Sequence, residues 1–439
     1  MTPLLTALLL FVLMLGLMAV RVPIAAAMFV AGLTGYLAQA GWLPLVGHLK
    51  NLVHARLSGY ELSVIPLFLL MGQFAARGGL SQALFRFAAV LLGRLRGGLA
   101  MASVLACAAF GSICGSSIAT SATIGAVALP EMRRHGYSGR LATATVAAGG
   151  TLGILVPPSV ILVLYAILAE QNIAKLFAAA LVPALIAMAG YLLGIGLYVR
   201  LVPGHAPTHD TPPQDRLRDT LPGVLPVALI FLAVFGGIYG GVFTPTEGAA
   251  VGATATFVTA VVGGGMRLTG LGDSLLATAE SCAMIFMIFL GADLLNSALA
   301  LTQAPTELAS AVGALGWPPL AVIAAILLFY IMLGCVMDEL SMLLLTIPIF
   351  FPLVMALDLG LPPDEQAIWF GTLVLMVVGI GLIAPPVGLN VYVVNGIDRR
   401  TPIGESYRGV LPFLASDLLR TGLLLALPSL SLWLVRMMD

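Results

Sequence analysis

Two stretches, Gly149-Gly-Thr-Leu-Gly153-Ile-Leu-Val-Pro157-Pro158-Ser159 and Gly379-Ile-Gly381-Leu-Ile-Ala-Pro385-Pro386-Val-Gly-Leu-Asn390, decide the fold. Both contain Gly-x-x-x-Pro-Pro, and Gly153/Gly381, Pro157/Pro385 and Pro158/Pro386 share one offset of 228 residues. Each lies in an apolar stretch, near 141–169 and 366–395. Proline lacks an amide hydrogen and disfavours helix in the residue before it, so Pro-Pro with glycines upstream unwinds a helix and bares carbonyl oxygens. In hydrocarbon those oxygens need a partner. One such motif reads as a structural kink, since Pro and Gly are common in membrane helices. A matched pair reads as a repeated device.

The rest of the chain supplies the bilayer. Of 439 residues, 60% are hydrophobic and 9% charged, and the mean hydropathy is +1.07. Soluble domains carry about 25% charged residues. At about 20 residues per crossing there is room for ten or so spans. The 20 Lys+Arg balance the 20 Asp+Glu, which argues against nucleic acid as a partner. Cys107, Cys114, Cys282 and Cys335 lie in apolar segments without CxxC or Cys/His spacing, so neither a disulfide framework nor a zinc site is expected. Pro3–Val20 has no basic residue before it and is followed by Arg21 and a second apolar run, so it reads as a retained span.

Apolar segments fall near 3–20, 23–41, 59–76, 97–130, 141–169, 173–199, 222–240, 246–264, 281–300, 318–357, 366–395 and 411–434. Two have the wrong length. Between Arg96 and Glu131 lie 34 uncharged residues, about 51 Å of helix against a hydrocarbon core of roughly 30 Å. At its middle stand Gly111-Ser-Ile-Cys-Gly-Ser-Ser117 and then Thr120, Ser121 and Thr123. Small polar residues there suit a re-entrant hairpin, tolerated at membrane depth only where protein or water surrounds its tip. The segment 318–357 has the same shape around Gly334-Cys-Val-Met-Asp-Glu-Leu-Ser341.

Basic residues flank the first hairpin (Arg94, Arg96, Arg133, Arg134, Arg140), whereas no Lys or Arg occurs from Leu268 to Asp398. By the positive-inside rule the first hairpin enters from the cytoplasm and the second from outside. The expected fold is therefore an all-α polytopic membrane protein of two inverted-topology repeats, each with a re-entrant helical hairpin and a Pro-Pro-broken transmembrane helix. Residues 1–201 form the first repeat (hairpin 97–133, broken helix 141–169), and 222–439 form the second (hairpin 318–357, broken helix 366–395). Between them the hydrophilic 202–221, with His205, His209, Asp210, Pro212, Pro213, Asp215 and Arg216, reads as a cytoplasmic linker. The stretch Gly41–Arg56 fits the crossing count only as an interfacial arm on the outside.

Paired broken helices in inverted repeats are the pattern of secondary transporters, where carbonyls and helix C-terminal ends hold a cation and helix N-termini face an anionic group. Sodium, a hard cation, suits such all-oxygen cages. Ser112, Ser116, Ser117, Thr120 and Ser121 offer hydroxyls at the first tip, or else bond their own helix. At the second tip Asp338 and Glu339 are the only acids between Glu307 and Asp358, and an intramembrane carboxylate is a functional candidate. Asp338 either balances a cation or accepts backbone amides. Asn390 offers an amide oxygen and donors to the same cavity, or caps freed carbonyls. Thr244-Pro-Thr-Glu247 is a capping box.

The strings GGTLGILVPPS, GIYGGVFTPTEGAAVGA, LGCVMDELSMLLLTIPIFFP and GLIAPPVGLNVYVV resemble the large membrane subunit of tripartite ATP-independent periplasmic (TRAP) transporters, the dicarboxylate transporter M-subunit family, over nearly the whole chain. The resemblance implies an elevator-type, sodium-coupled importer of organic acids, such as C4-dicarboxylates or acidic sugars, in the bacterial inner membrane, with no organic cofactor. It implies two partners besides membrane lipids: a periplasmic substrate-binding protein and a small four-helix membrane subunit on a separate chain. It further implies one sodium site between Ser112, Ser116, Ser117 and Gly150 and Gly153, and another between Cys335, Asp338 and Ala384 and Pro385. Substrate would sit near Ser117, Thr120, Ser159 and Asn390.

An intramembrane enzyme is the rival from another class, but all five histidines fall in loops or at segment ends and no GxGD-type loop is present. A channel needs a continuous polar stripe, whereas polarity here is confined to two tips and two breaks. A stand-alone sodium- or proton-coupled organic-anion carrier of the same superfamily is the nearer alternative.

Overall fold

The computed structural model describes residues 2–207, 216–314 and 316–438, which are helical throughout their regular structure and contain no strand. His209, Asp210, Pro212, Pro213 and Asp215 of the expected linker lie outside the described residues. Its end differs from expectation: helix Leu217–Tyr239 begins inside it, with the Asp219 carboxylate accepting the Arg216 amide at 3.2 Å. At its start, His205 Nδ1 lies 2.7 Å from Ser138 Oγ and His205 O accepts the Ser138 amide. The segment leaving the first half is thereby tied to the foot of helix Gly139–Leu155.

Among the described residues, five helices are long and apolar enough to cross a bilayer: Ile173–Leu201, Leu217–Tyr239, Leu268–Thr302, Pro363–Gly381 and Ile403–Ala426. Two bent pairs, Tyr60–Arg77 with Leu80–Leu92 (67°) and Gly139–Leu155 with Val160–Leu168 (43°), raise the number to seven. That is fewer than the ten or so expected; Pro3–Ala19 and Ile24–Ala40, apolar helices of 17 residues each, stand at the short end of what spans a bilayer, and Pro245–Val262 is less apolar. Helices Leu80–Leu92, Ala304–Ala314 and Ser429–Arg436 were not expected as separate elements. Leucines at 193, 197, 229, 232 and 419 are exposed, an apolar exterior that only lipid or another membrane protein covers.

Small residues set the closest approaches, as in membrane helix packing generally. Ile24–Ala40 lies so near Leu268–Thr302 that a Cβ on Gly32 would stand 2.5 Å from the Leu295 amide nitrogen. The arm exists as helix Trp42–Leu57, pinned where Arg56 grips Asp293 through two bonds of 2.8 and 2.6 Å. That pairing neutralises one of the basic residues on a stretch that the crossing count, against the charge rule, puts outside. Ion pairs also join the two halves of the sequence: Arg77 with Asp273, Arg133 with Asp398, Arg140 with Glu405. Burial pushes the Asp398 carboxyl up, but bonds from Arg133 and Thr401 outweigh it and hold the group below the usual carboxylate range.

The two segments of unusual length each fold as a helix–turn–helix pair. Gly98–Cys114 and Ser117–Arg134 turn back on each other across Gly115 and Ser116, with Gly115 at φ +65°. Their feet meet where the Leu99 amide donates to Tyr137 and Ser103 reaches Met132. Pro319–Gly334 and Glu339–Met355 do the same across 335–338, with the Tyr330 and Phe350 rings 5.8 Å apart. Each first arm carries in its last turn a glycine that packs against the glycine of a broken helix, Gly111 on Gly153 and Gly334 on Gly381.

Candidate functional site

The breaks fall where the prolines put them. Gly139–Leu155 stops and Val160–Leu168 resumes; Pro363–Gly381 stops and Leu389–Ile397 resumes. Pro157–Pro158 and Pro385–Pro386 are both cis. The carbonyls of Gly153, Ile154, Gly381 and Leu382 have lost their i+4 donors, because prolines occupy those places. The Asn390 backbone amide returns to Leu382 O at 3.0 Å, so the second break is partly capped by its own chain.

The first tip meets the first break. A Cβ on Gly153 would lie 2.5 Å from Thr120 Oγ1 and 2.8 Å from Ser116 O, and one on Gly150 would strike Ser121 Oγ. Asn390 arrives from the other half of the sequence: its Nδ2 donates to Ser117 Oγ at 2.6 Å and to Ala147 O at 3.1 Å. Ser117, Thr120, Ser121, Ser159 and Asn390 are fully buried. Within this cage Thr120 Oγ1, Ser121 Oγ and Asn390 Oδ1 have no hydrogen-bond partner. Ser159 caps Val160–Leu168 by accepting the Leu162 amide, close behind Gly115, whose Cβ position lies 3.2 Å from Pro158 O. Ser116 caps Ser117–Arg134 in the same way. Ser112 turns instead to its own helix, donating to Ala109 O at 2.8 Å.

At the second tip both Asp338 oxygens serve helix Glu339–Met355: Oδ2 accepts the amides of Leu340 and Ser341, and Oδ1 accepts the Ser341 hydroxyl at 2.6 Å. Cys335 Sγ donates to Ile331 O. Ala384 is buried, whereas Pro385, Pro386 and Val336 are exposed beside it, and Tyr407 donates to the carbonyls of Pro386 and Val387. The first break is enclosed; the second opens to the surface.

Glu339, named with Asp338 as an intramembrane acid but given no role, and Tyr407, which sequence reasoning missed, both belong to the site. Glu339 is buried, the Ser117 amide faces its carboxylate, and its Oε2 has no partner; it links the two tips. The Asp-x-x-Ser spacing of an N-cap marks Asp338 as the cap and so leaves Glu339 as the free acid. Tyr407 carried no such signal. Asp338→Asn keeps a capping oxygen and is expected to retain most function, whereas Asp338→Ala costs about 1 kcal/mol. Melting temperatures and transport rates of the two variants check this, and equal loss in both would assign the charge itself the role.

Neutral hydroxyl, amide and carbonyl oxygens of this kind fit a hard, weakly charged cation. Among the described residues no three His, Cys, Asp or Glu side chains gather around a common point.

Two hairpins inserted between broken helices define a polytopic membrane protein of transporter architecture. The profile of the tripartite ATP-independent periplasmic transporter family, DctM component, matches residues 11–430, and the chain belongs to this family. It is 36% identical to the C4-dicarboxylate TRAP transporter large permease protein DctM of Pseudomonas aeruginosa, over 85% of this chain and 86% of that one. It is 30% identical to the isethionate TRAP transporter permease protein DctMQ of Oleidesulfovibrio alaskensis, over 91% of this chain and 61% of that one. These relatives are permeases, not enzymes. The crystal structure of the YdaH transporter of Alcanivorax borkumensis shares the fold, with a TM-score of 0.64 and 16% identity over 88% of this chain and 89% of that one.

Proposed function

We propose that this chain is the large membrane subunit of a sodium-coupled importer of small organic acids in the bacterial inner membrane. It receives its cargo from a periplasmic binding protein and works beside a separate small four-helix membrane subunit. The observation that carries the reading is the set of buried oxygens without partners, Thr120 Oγ1, Ser121 Oγ and Asn390 Oδ1, around a helix break whose own carbonyls are freed. Buried polar groups are almost always satisfied, so three near one break support a ligand there.

In this reading the first sodium lies between Ser112, Ser116, Ser117, Gly150 and Gly153, with Thr120 and Asn390 closing the cage; Ser112 gives its proton to Ala109 O and keeps its oxygen lone pairs for the ion. The second lies at Cys335, Ala384 and Pro385, with Asp338 holding the tip. The acid sits between the tips near Ser117, Thr120, Ser159 and Asn390, reached through the open second break. Cargo named for the relatives, a C4-dicarboxylate and isethionate, supports an anion of this size. The relative named DctMQ, only 61% of which this chain spans, supports a second membrane subunit on its own chain. An inverted repeat is supported by Thr151 and Gly379, which the 228-residue offset relates and which lie close enough that a Cβ on Gly379 would stand 3.5 Å from Thr151 Cβ, as positions beside a pseudo-two-fold axis do. Hairpins and broken helices would then move as one body against the pair Ile24–Ala40 and Leu268–Thr302.

Uptake into proteoliposomes holding both membrane subunits, with a loaded binding protein outside, tests the proposal. Replacing the sodium gradient by potassium is expected to lower the initial rate at least about ten-fold, the equivalent of about 1.4 kcal/mol. Equal rates in the two salts would refute the coupling, and uptake without the binding protein would favour a stand-alone carrier.

A further inference from the structure

Helix Ile403–Ala426 carries Asp417 and Arg420 within its membrane-spanning length, and both are buried, 0% and 4% exposed. Ionised side chains at membrane depth are costly and are kept where they serve a function. Neither belongs to the cage. Their pairing is incomplete: Arg420 Nη2 lies 3.0 Å from Asp417 Oδ1, off the angle of a hydrogen bond, and Arg420 Nε and Nη1 have no partner.

What the carboxylate does hold is Tyr191 of helix Ile173–Leu201, whose hydroxyl donates to Asp417 Oδ2 at 2.8 Å. With its proton so committed, the Tyr191 oxygen is left as an acceptor, 3.0 Å from Thr151 Oγ1. Thr151 also lies 2.7 Å from Ala148 O, so its single proton has two acceptors, and the carboxylate at the far end of the chain biases the choice. Thr151 stands between Gly150 and Gly153 in sequence and touches the Cβ position of Gly379 on the second broken helix. The hydrogen-bonded chain therefore ends where the two broken helices cross, on the turn whose other face forms the cage.

We propose that Asp417, anchored by Arg420, is a positioning residue that acts through Tyr191 and Thr151 to hold the Gly150–Gly153 turn against the first hairpin tip, and so sets the affinity of the cation cage. The inference rests on the sodium reading above. Because the carboxylate never touches the ion, its loss shifts affinity and leaves the transport step intact.

The test is the sodium dependence of uptake in reconstituted complexes, normalised to inserted protein. Tyr191→Phe removes one oxygen and keeps the ring packed on Phe413, 5.3 Å away; it is expected to raise the half-saturating sodium concentration about five-fold or more, the lower end of usual coupling energies. The rate at saturating sodium should stay within about two-fold of wild type, less than about 0.5 kcal/mol by the same conversion. Asp417→Asn should shift the curve the same way and Asp417→Glu should recover part of the loss. A purely structural network would lower yield and melting temperature and leave the curve in place, and an unshifted curve for Tyr191→Phe overturns the proposal. If wild type ignores sodium, the ion reading fails on its own; the half-saturating concentration of the loaded binding protein is then the readout, and variants that leave it unchanged overturn the positioning role too.

Discussion

Asn390→Leu is expected to bring uptake per inserted molecule below about one hundredth of wild type. Leucine keeps the branched skeleton of asparagine but is bulkier, so the loss combines lost polarity with some crowding. Asn390 is fully buried and its Nδ2 is shared by Ser117 Oγ and Ala147 O. Leucine leaves both oxygens without a donor, at about 1–3 kcal/mol for each buried group so abandoned. It also deletes Oδ1, one of the unpartnered oxygens facing the cage. At 1.4 kcal/mol for each factor of ten, two such losses reach about a hundred-fold. Because one strut joins the second broken helix to the first tip, the effect should fall on ion and acid affinity together. Initial rates across sodium and cargo concentrations check this; a variant that keeps more than a tenth of wild-type uptake would remove Asn390 from the site.

That strut also shows what one sequence can and cannot reveal. The breaks at Pro157 and Pro385 were legible because losing an amide is a local fact, independent of what packs around it. The hairpins were legible because 34 uncharged residues cannot cross a bilayer once. The capping box at Thr244 was legible for the same local reason, with the Thr244 amide donating to Glu247 at 2.8 Å and the Glu247 amide to Thr244 Oγ1 at 3.3 Å. Helix Leu80–Leu92 was not found as an element, since Arg86 within it and Arg94 and Arg96 beyond it made the stretch look like a polar connection. Asn390 and Ser117, 273 residues apart, meet only through the packing of Leu389–Ile397 on the first hairpin. The same holds for Tyr191 and Asp417, 226 apart. Polarity placed each residue in the membrane; only the fold could say which oxygens were left without donors.

Gly153→Ala carries the second large expectation. Alanine in a helix ordinarily stabilises by about 1 kcal/mol relative to glycine, so any loss here is steric in origin. The added Cβ would stand 2.8 Å from Ser116 O, 2.5 Å from Thr120 Oγ1 and 3.0 Å from Thr120 Cβ. Ser116 O is main chain and accepts the Thr120 amide, so it moves only if the whole tip retreats. A tip that retreats withdraws Ser117 and Thr120 from the freed carbonyls, and sodium-driven uptake should fall by about a hundred-fold or more, near 2.7 kcal/mol, while the chain still inserts. Gly194→Ala is the matched control. It lies in helix Ile173–Leu201, has nothing within 4 Å of its Cβ position, and should transport normally and melt slightly higher. If Gly153→Ala behaves like Gly194→Ala, the contact between tip and break does not shape the ion site, and the oxygens gathered there serve the fold alone.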